Sequence, residues 1–98
     1  MKTEDLTGSA LDWAVAEARM QGAFEYYATD DWKPSTDWAQ GGAIIEREQL
    51  SIECINSERW LCGWSEGATP LTAAMRCYVA SKLGDDVEIP AKLMGETA

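Results

Sequence analysis

Histidine is absent from the 98 residues. The commonest general base and the commonest nitrogen ligand for a metal are therefore both missing. Basic residues are scarce as well, 8 against 17 acidic ones, for a net charge of −9. Such a chain repels phosphate backbones and anionic bilayers, which excludes a general nucleic-acid or membrane-surface binder. The acidic runs, Asp30-Asp31 and Asp85-Asp86, are too short to imitate nucleic acid. Three cysteines, Cys54, Cys62 and Cys77, form no C-x-x-C pair. That argues against a disulfide framework or a zinc site and for a reducing cytoplasm. No apolar run reaches the roughly 20 residues of a membrane-spanning helix, and no signal-peptide pattern opens the chain. Serine-hydrolase elbows, phosphate loops and dinucleotide fingerprints are missing too, and no spacing pairs two carboxylates for acid–base work. The expectation is a cytoplasmic protein with no catalytic turnover, cofactor or metal.

What is present suits a single domain spanning 1–98, with 46% hydrophobic and 26% charged residues. At this length one small core is possible, and five tryptophans are more than it can fully bury. Residues 1–6 read as a loose polar lead-in. Thr7 then caps a helix predicted over 8–21, with Leu6 and Leu11 as a hydrophobic staple and Gly22 as its end. Leu11, Ala14, Val15 and Ala18 form one face, while Trp13, Ala16 and Met20 form a second. Aromatic residues predict a strand over 24–29. Alternation predicts a hairpin of 50–55 and 59–64, with Trp60, Cys62 and Trp64 on one face. Thr69-Pro70 opens a second helix, over 70–83, that stops at Gly84. Its core face is Leu71, Ala74, Met75, Tyr78 and Val79, and its far side is Ala73, Arg76, Cys77 and Ala80. The residues from 91 on are expected to fray. The order α-β-β-β-α predicts an α+β fold, a three-stranded antiparallel sheet with two helices on one face. The second faces of both helices, Trp13, Ala16 and Met20 with Ala73, Cys77 and Ala80, point to a homo-oligomer, a dimer first.

The stretch from Ser35 to Glu48 is the leading site candidate. Gly41-Gly42 breaks regular structure and lets a ligand approach backbone N–H groups, leaving one short helical turn at 44–48. Trp38 offers a stacking face, Gln40 donates and accepts, and Arg47 forks onto carboxylate or phosphate. Arg76 is a second anion-binding candidate. The plainer assignment makes Gly41-Gly42 a turn, Trp38 a core plug and Arg76 a surface ion pair.

The segments Ser35-Thr-Asp-Trp-Ala-Gln-Gly-Gly-Ala-Ile-Ile-Glu-Arg-Glu48, Thr69-Pro-Leu-Thr-Ala-Ala-Met-Arg-Cys-Tyr-Val-Ala-Ser-Lys-Leu-Gly-Asp85 and Leu6-Thr-Gly-Ser-Ala-Leu-Asp-Trp-Ala-Val15 resemble the NinX-like family of small phage and prophage proteins. The resemblance covers nearly the whole chain. It departs at Ala43, where the family usually has proline, and is loose over 20–34 and the hairpin. It implies a phage origin, expression in a host bacterium and no known reaction. It carries the family signature onto Asp37, Trp38, Gln40, Gly41, Gly42, Arg47 and Arg76, which favours a site over a plain turn. Two binding functions follow. One is sequestration of a small anionic, ring-containing, nucleotide-like ligand such as a host immune signal. The other is inhibition of a host or defence protein through an apolar Trp/Met patch.

Overall fold

The computed structural model describes residues 1–19 and 32–88. A 3-10 turn, Thr3–Asp5, leads into helix α1, Gly8–Arg19. Helix α2 is Trp38–Glu48, strands β1, β2 and β3 are Ile52–Asn56, Arg59–Cys62 and Ser65–Gly67, and helix α3 is Pro70–Leu83. The fold is α+β with one antiparallel sheet in the order β1-β2-β3. The strand expected over 24–29, and the end of the first helix with Met20, lie outside the described residues. Among the described residues the third strand of the sheet is Ser65–Gly67, supplied by a tight turn directly after β2.

Helix α3 is the hub. It lies against the sheet, chiefly β3 and β2, while α1 and α2 pack on it. Its ends follow from its sequence. Thr69 Oγ1 accepts from Thr72 N at 3.1 Å, Pro70 fills the first turn, and Gly84, at φ +89°, closes it with its N–H on Ala80 O. Leu71, Ala74, Met75, Tyr78 and Val79 are buried, joined by Leu11, Ala14 and Val15 from α1, Ile44 from α2 and Cys62 from β2. Leu6 is fully buried beside them, and the lead-in that carries it is tied down. Thr3 N donates to Asp85 O at 2.8 Å, Thr3 Oγ1 to Gly84 O at 2.7 Å, and the backbone of Lys2 pairs with that of Asp86 as an isolated antiparallel bridge.

Gly41-Gly42 does not interrupt structure; both glycines lie inside α2. Two glycines cost roughly 2 kcal/mol of intrinsic helix propensity, and the ends of α2 offset part of this. Asp37 caps it, Oδ1 accepting from Ala39 N at 2.9 Å. Gln49 at φ 55°, ψ 46° turns the chain out, and Leu50 N reaches back to Ile45 O at 3.0 Å. Packing supplies the rest, because Gly41 is the point where α2 meets the Pro34 carbonyl and Leu71 of α3.

The segment entering α2 is fastened to α1 at Asp12. Trp32 Nε1 donates to Asp12 O, and Ser35 N to Asp12 Oδ1, both at 2.8 Å. Asp12 is buried, and burial holds its carboxyl above the ordinary value of 3.8 despite the Ser35 contact. Asp12→Ala, which orphans a buried N–H, is expected to cost about 1–3 kcal/mol. Asp12→Asn keeps an acceptor without a buried charge and is expected to match or exceed wild type at neutral pH. A raised carboxyl pKa gives stability that is full below 3.8 and is lost as pH rises through the shifted value, so the asparagine advantage narrows on acidification. Thermal melts of both variants across that range check this.

Candidate functional site

Among the described residues, polar side chains gather around the α2 stretch that the sequence marks and in a groove at the far end of α3. Around α2, Asp37 Oδ2 accepts from Gln40 Nε2 at 3.3 Å, and Gln40 Oε1 accepts from Lys33 N at 2.8 Å. Asp37 and Gln40 thus meet, and they shape the helix start. Trp38 is 57% exposed, with its ring beside Gly42. Arg47 lies nine residues on, half a turn round the helix at 100° per residue, so it points to the opposite side of α2 from Trp38. Its Nε binds Glu48 Oε2 at 3.1 Å, and the other Glu48 oxygen lies 3.7 Å from Lys82 Nζ.

Arg76 stands apart from both. Its Nε donates to Leu6 O at 2.9 Å and its Nη1 to Glu66 O at 2.7 Å. Burial pulls its pKa down, while the charges of Asp5, Glu4 and Glu66 oppose that. A ring held by Trp38, an anion held by Arg47 and a third contact from Arg76 are therefore not one pocket in this chain.

The groove has a volume of about 660 Å³ and is open to solvent. Residues 2–4 form one wall, the β2–β3 turn of Gly63, Trp64 and Ser65 the other, and Cys77, Ala80 and Ser81 of α3 the floor, with Asp85 and Asp86 at one end. Cys62 pairs with Ser65 across this two-residue turn, and Gly63 takes φ +60° at its first central position. Trp64 in the second position keeps a negative φ, which is the type II′ pattern. A side chain at such a tip has no neighbour to pack on, and Trp64 is 104% exposed. It is not on the strand face with Trp60 and Cys62, as alternation alone implied.

Of the residues expected at an oligomer interface, Cys77 and Ala80 line this groove, and Ala16 and Ala73 are buried within the chain itself. Trp13 is half-buried against the core, and Met20 lies outside the described residues. At Ala73 another segment does come close. It is Gly67 of this chain's own sheet, where an added Cβ would meet Ala73 N at 2.6 Å. The sequence does not mark Lys2, Trp64, Ser65 and Asp85 as site residues. The one sequence signal for them was Gly63, a glycine at the head of a two-residue turn.

The chain belongs to the bacteriophage P22 NinX family, whose model matches residues 2–82. The match runs from the N-terminal wall of the groove through its floor. A search of the curated proteins gave no match. Among the described residues, no helix is long and apolar enough to cross a membrane.

Proposed function

We propose that this NinX-family phage protein works by binding rather than by turnover, and that it docks a basic segment of a host or defence protein in the groove beside Trp64. The observation that carries the reading is Trp64. A tryptophan offers 150–250 Å² of mostly apolar surface, so leaving it in water forgoes roughly 4–6 kcal/mol of burial. A turn tip needs no such residue for folding. An interface does: exposed aromatic anchors that become buried are where binding energy concentrates.

The chemistry of the partner follows from charge. Exposed Glu4, Asp85 and Asp86 face the groove, Lys2 is the one basic side chain among the described residues that line it, and Asp86 also takes the Met1 ammonium at 3.2 Å, in a chain of net charge −9. Lysine or arginine side chains would meet carboxylates at the rim and the face of Trp64 above the floor. Attraction of this kind speeds encounter and weakens with salt. Sequestration of a nucleotide-like anion finds less support, because Trp38 and Arg47 diverge and Arg76 is engaged. A role in blunting host defence fits a stoichiometric binder of phage origin.

The test titrates the full chain with lysine- and arginine-bearing peptides, with acidic peptides, and with a cyclic dinucleotide and ADP-ribose, following heat and anisotropy. Basic peptides are expected to bind, less tightly as salt rises. Trp64→Ala should lower that affinity by roughly thirty-fold, about 2 kcal/mol, with no change in unfolding midpoint. Binding of a nucleotide that is lost in Trp38→Ala and kept in Trp64→Ala would overturn the proposal in favour of sequestration. A groove closed by a second copy, seen as a dimer in light scattering that Trp64→Ala dissociates, would overturn it in favour of self-association.

A further inference from the structure

The groove floor holds a thiol with another thiol behind it. Cys62 ends β2 and is 1% exposed. Cys77 projects from α3 towards the turn that directly follows Cys62, its Sγ 3.5 Å from where a Cβ on Gly63 would stand, and it packs against the core cluster that holds Cys62. The two are unequal. Cys77 is half-buried and lines the groove, so a small molecule in the groove reaches it, whereas Cys62 is shielded. The third cysteine, Cys54, is exposed on β1.

We propose that Cys62 and Cys77 are a thiol–disulfide pair, with Cys77 as the entry thiol in the groove, Cys62 as the resolving thiol, and a low-molecular-weight disulfide as the oxidant. In the first step the Cys77 thiolate attacks one sulfur of the small disulfide. The S–S bond of the oxidant breaks, one small thiol leaves carrying a proton, and Cys77 holds the other half as a mixed disulfide. In the second step Cys62 loses its proton and attacks Cys77 Sγ, and the second small thiol leaves with a proton. Two protein thiols are oxidised and one disulfide is reduced to two thiols. The order of attack follows access, and it agrees with the acidity of Cys62. Burial, then the neighbouring Cys77, push that thiol up to about 12, so it is a poor first nucleophile and a slow resolver at neutral pH. The product staples the β2–β3 turn, which carries Trp64, to α3. One wall of the groove is then fixed to its floor, so the oxidation state of the cell sets the stiffness of the groove. This chemistry does not depend on which partner docks there.

The experiment incubates the full chain with oxidised glutathione at neutral and at mildly alkaline pH, quenches with acid and maps the products. Trypsin cuts after Arg59, Arg76 and Lys82, which places Cys62 in 60–76 and Cys77 in 77–82. The expected result in Cys54→Ser is a glutathione adduct on 77–82 that converts to a 60–76/77–82 cross-link, faster at the higher pH, with a rise in unfolding midpoint. Cys62→Ala should stop at the adduct on Cys77, and Cys77→Ala should give neither adduct nor cross-link. An adduct on Cys62 in place of Cys77, an adduct that never resolves at alkaline pH, or no modification of either thiol would overturn the proposal. Should a variant fail to fold, the peptide map of the unmutated chain reads the same adduct and the same cross-link.

Discussion

Arg76→Ala is expected to lower the unfolding free energy by about 3 kcal/mol. The guanidinium holds three parts of the chain together: it stands on α3, Nε donates to Leu6 O at 2.9 Å, and Nη1 donates to Glu66 O at 2.7 Å. Leu6 belongs to the N-terminal segment and Glu66 to β3, so one side chain spans the hub, the strand and the lead-in. Hydrogen bonds from a charged donor contribute roughly 1.5–3 kcal/mol each, and half-exposure puts these two near the lower end because water replaces part of what is lost. The aliphatic stem adds packing that alanine also removes. Arg76→Lys offers a point charge without a fork, cannot reach both carbonyls, and should recover about half of the loss. Urea unfolding reads this directly, as a fall in midpoint at constant slope. An Arg76→Ala midpoint equal to wild type would show that the two carbonyl contacts contribute nothing. Residue types alone cast Arg76 as an anion-binding candidate or a surface ion pair; its two bonds to backbone oxygens give it a structural role.

The difference between Arg76 and Thr69-Pro70 shows what a sequence can hold. Helix α3 was legible to the residue, because a cap, a proline in the first turn and a glycine at the end are local signals set by the backbone of a few neighbours. The hairpin was legible to within a strand end, since alternation is also local. Arg76 has partners 70 residues before it and 10 before it, and nothing near position 76 encodes them. Trp64 was misplaced by extending alternation one step too far: Gly63 turns the chain there, so the tryptophan that looked like core became the exposed feature of the groove. Cys77 and Ala80 lie on the side of α3 that lines the groove. The groove above them is assembled from residues 2–4, 63–65 and 85–86, which meet only when the fold is complete.

The pair Gly41-Gly42 separates local from tertiary demand most sharply, and substitution is expected to give opposite signs at adjacent positions. A methyl group on Gly42 meets nothing nearer than Trp38 Cε3, at 3.8 Å. Gly42→Ala should therefore show the ordinary gain of a glycine-to-alanine change inside a helix, about 0.5–1 kcal/mol. A methyl group on Gly41 would overlap the carbonyl oxygen of Pro34 and stand 2.6 Å from Leu71 Cδ2. Leu71 is 3% exposed and cannot swing clear, and the Pro34 carbonyl is backbone in a segment pinned to Asp12 through Ser35. Relief requires α2 to move off α3, which opens the contact around Ile44. Overpacking of this kind costs typically 1–3 kcal/mol, and the backbone partner places Gly41→Ala at the upper end, about 3 kcal/mol. Helix propensity works in the other direction at both sites, so a loss at 41 beside a gain at 42 can come only from packing. Chemical denaturation of the two single variants and the double variant decides it. Equal gains at both positions would mean that α2 does not touch α3 at Gly41. A loss at 41 that disappears in Gly41→Ala/Leu71→Ala, relative to Leu71→Ala alone, would identify Leu71 rather than the Pro34 carbonyl as the obstruction.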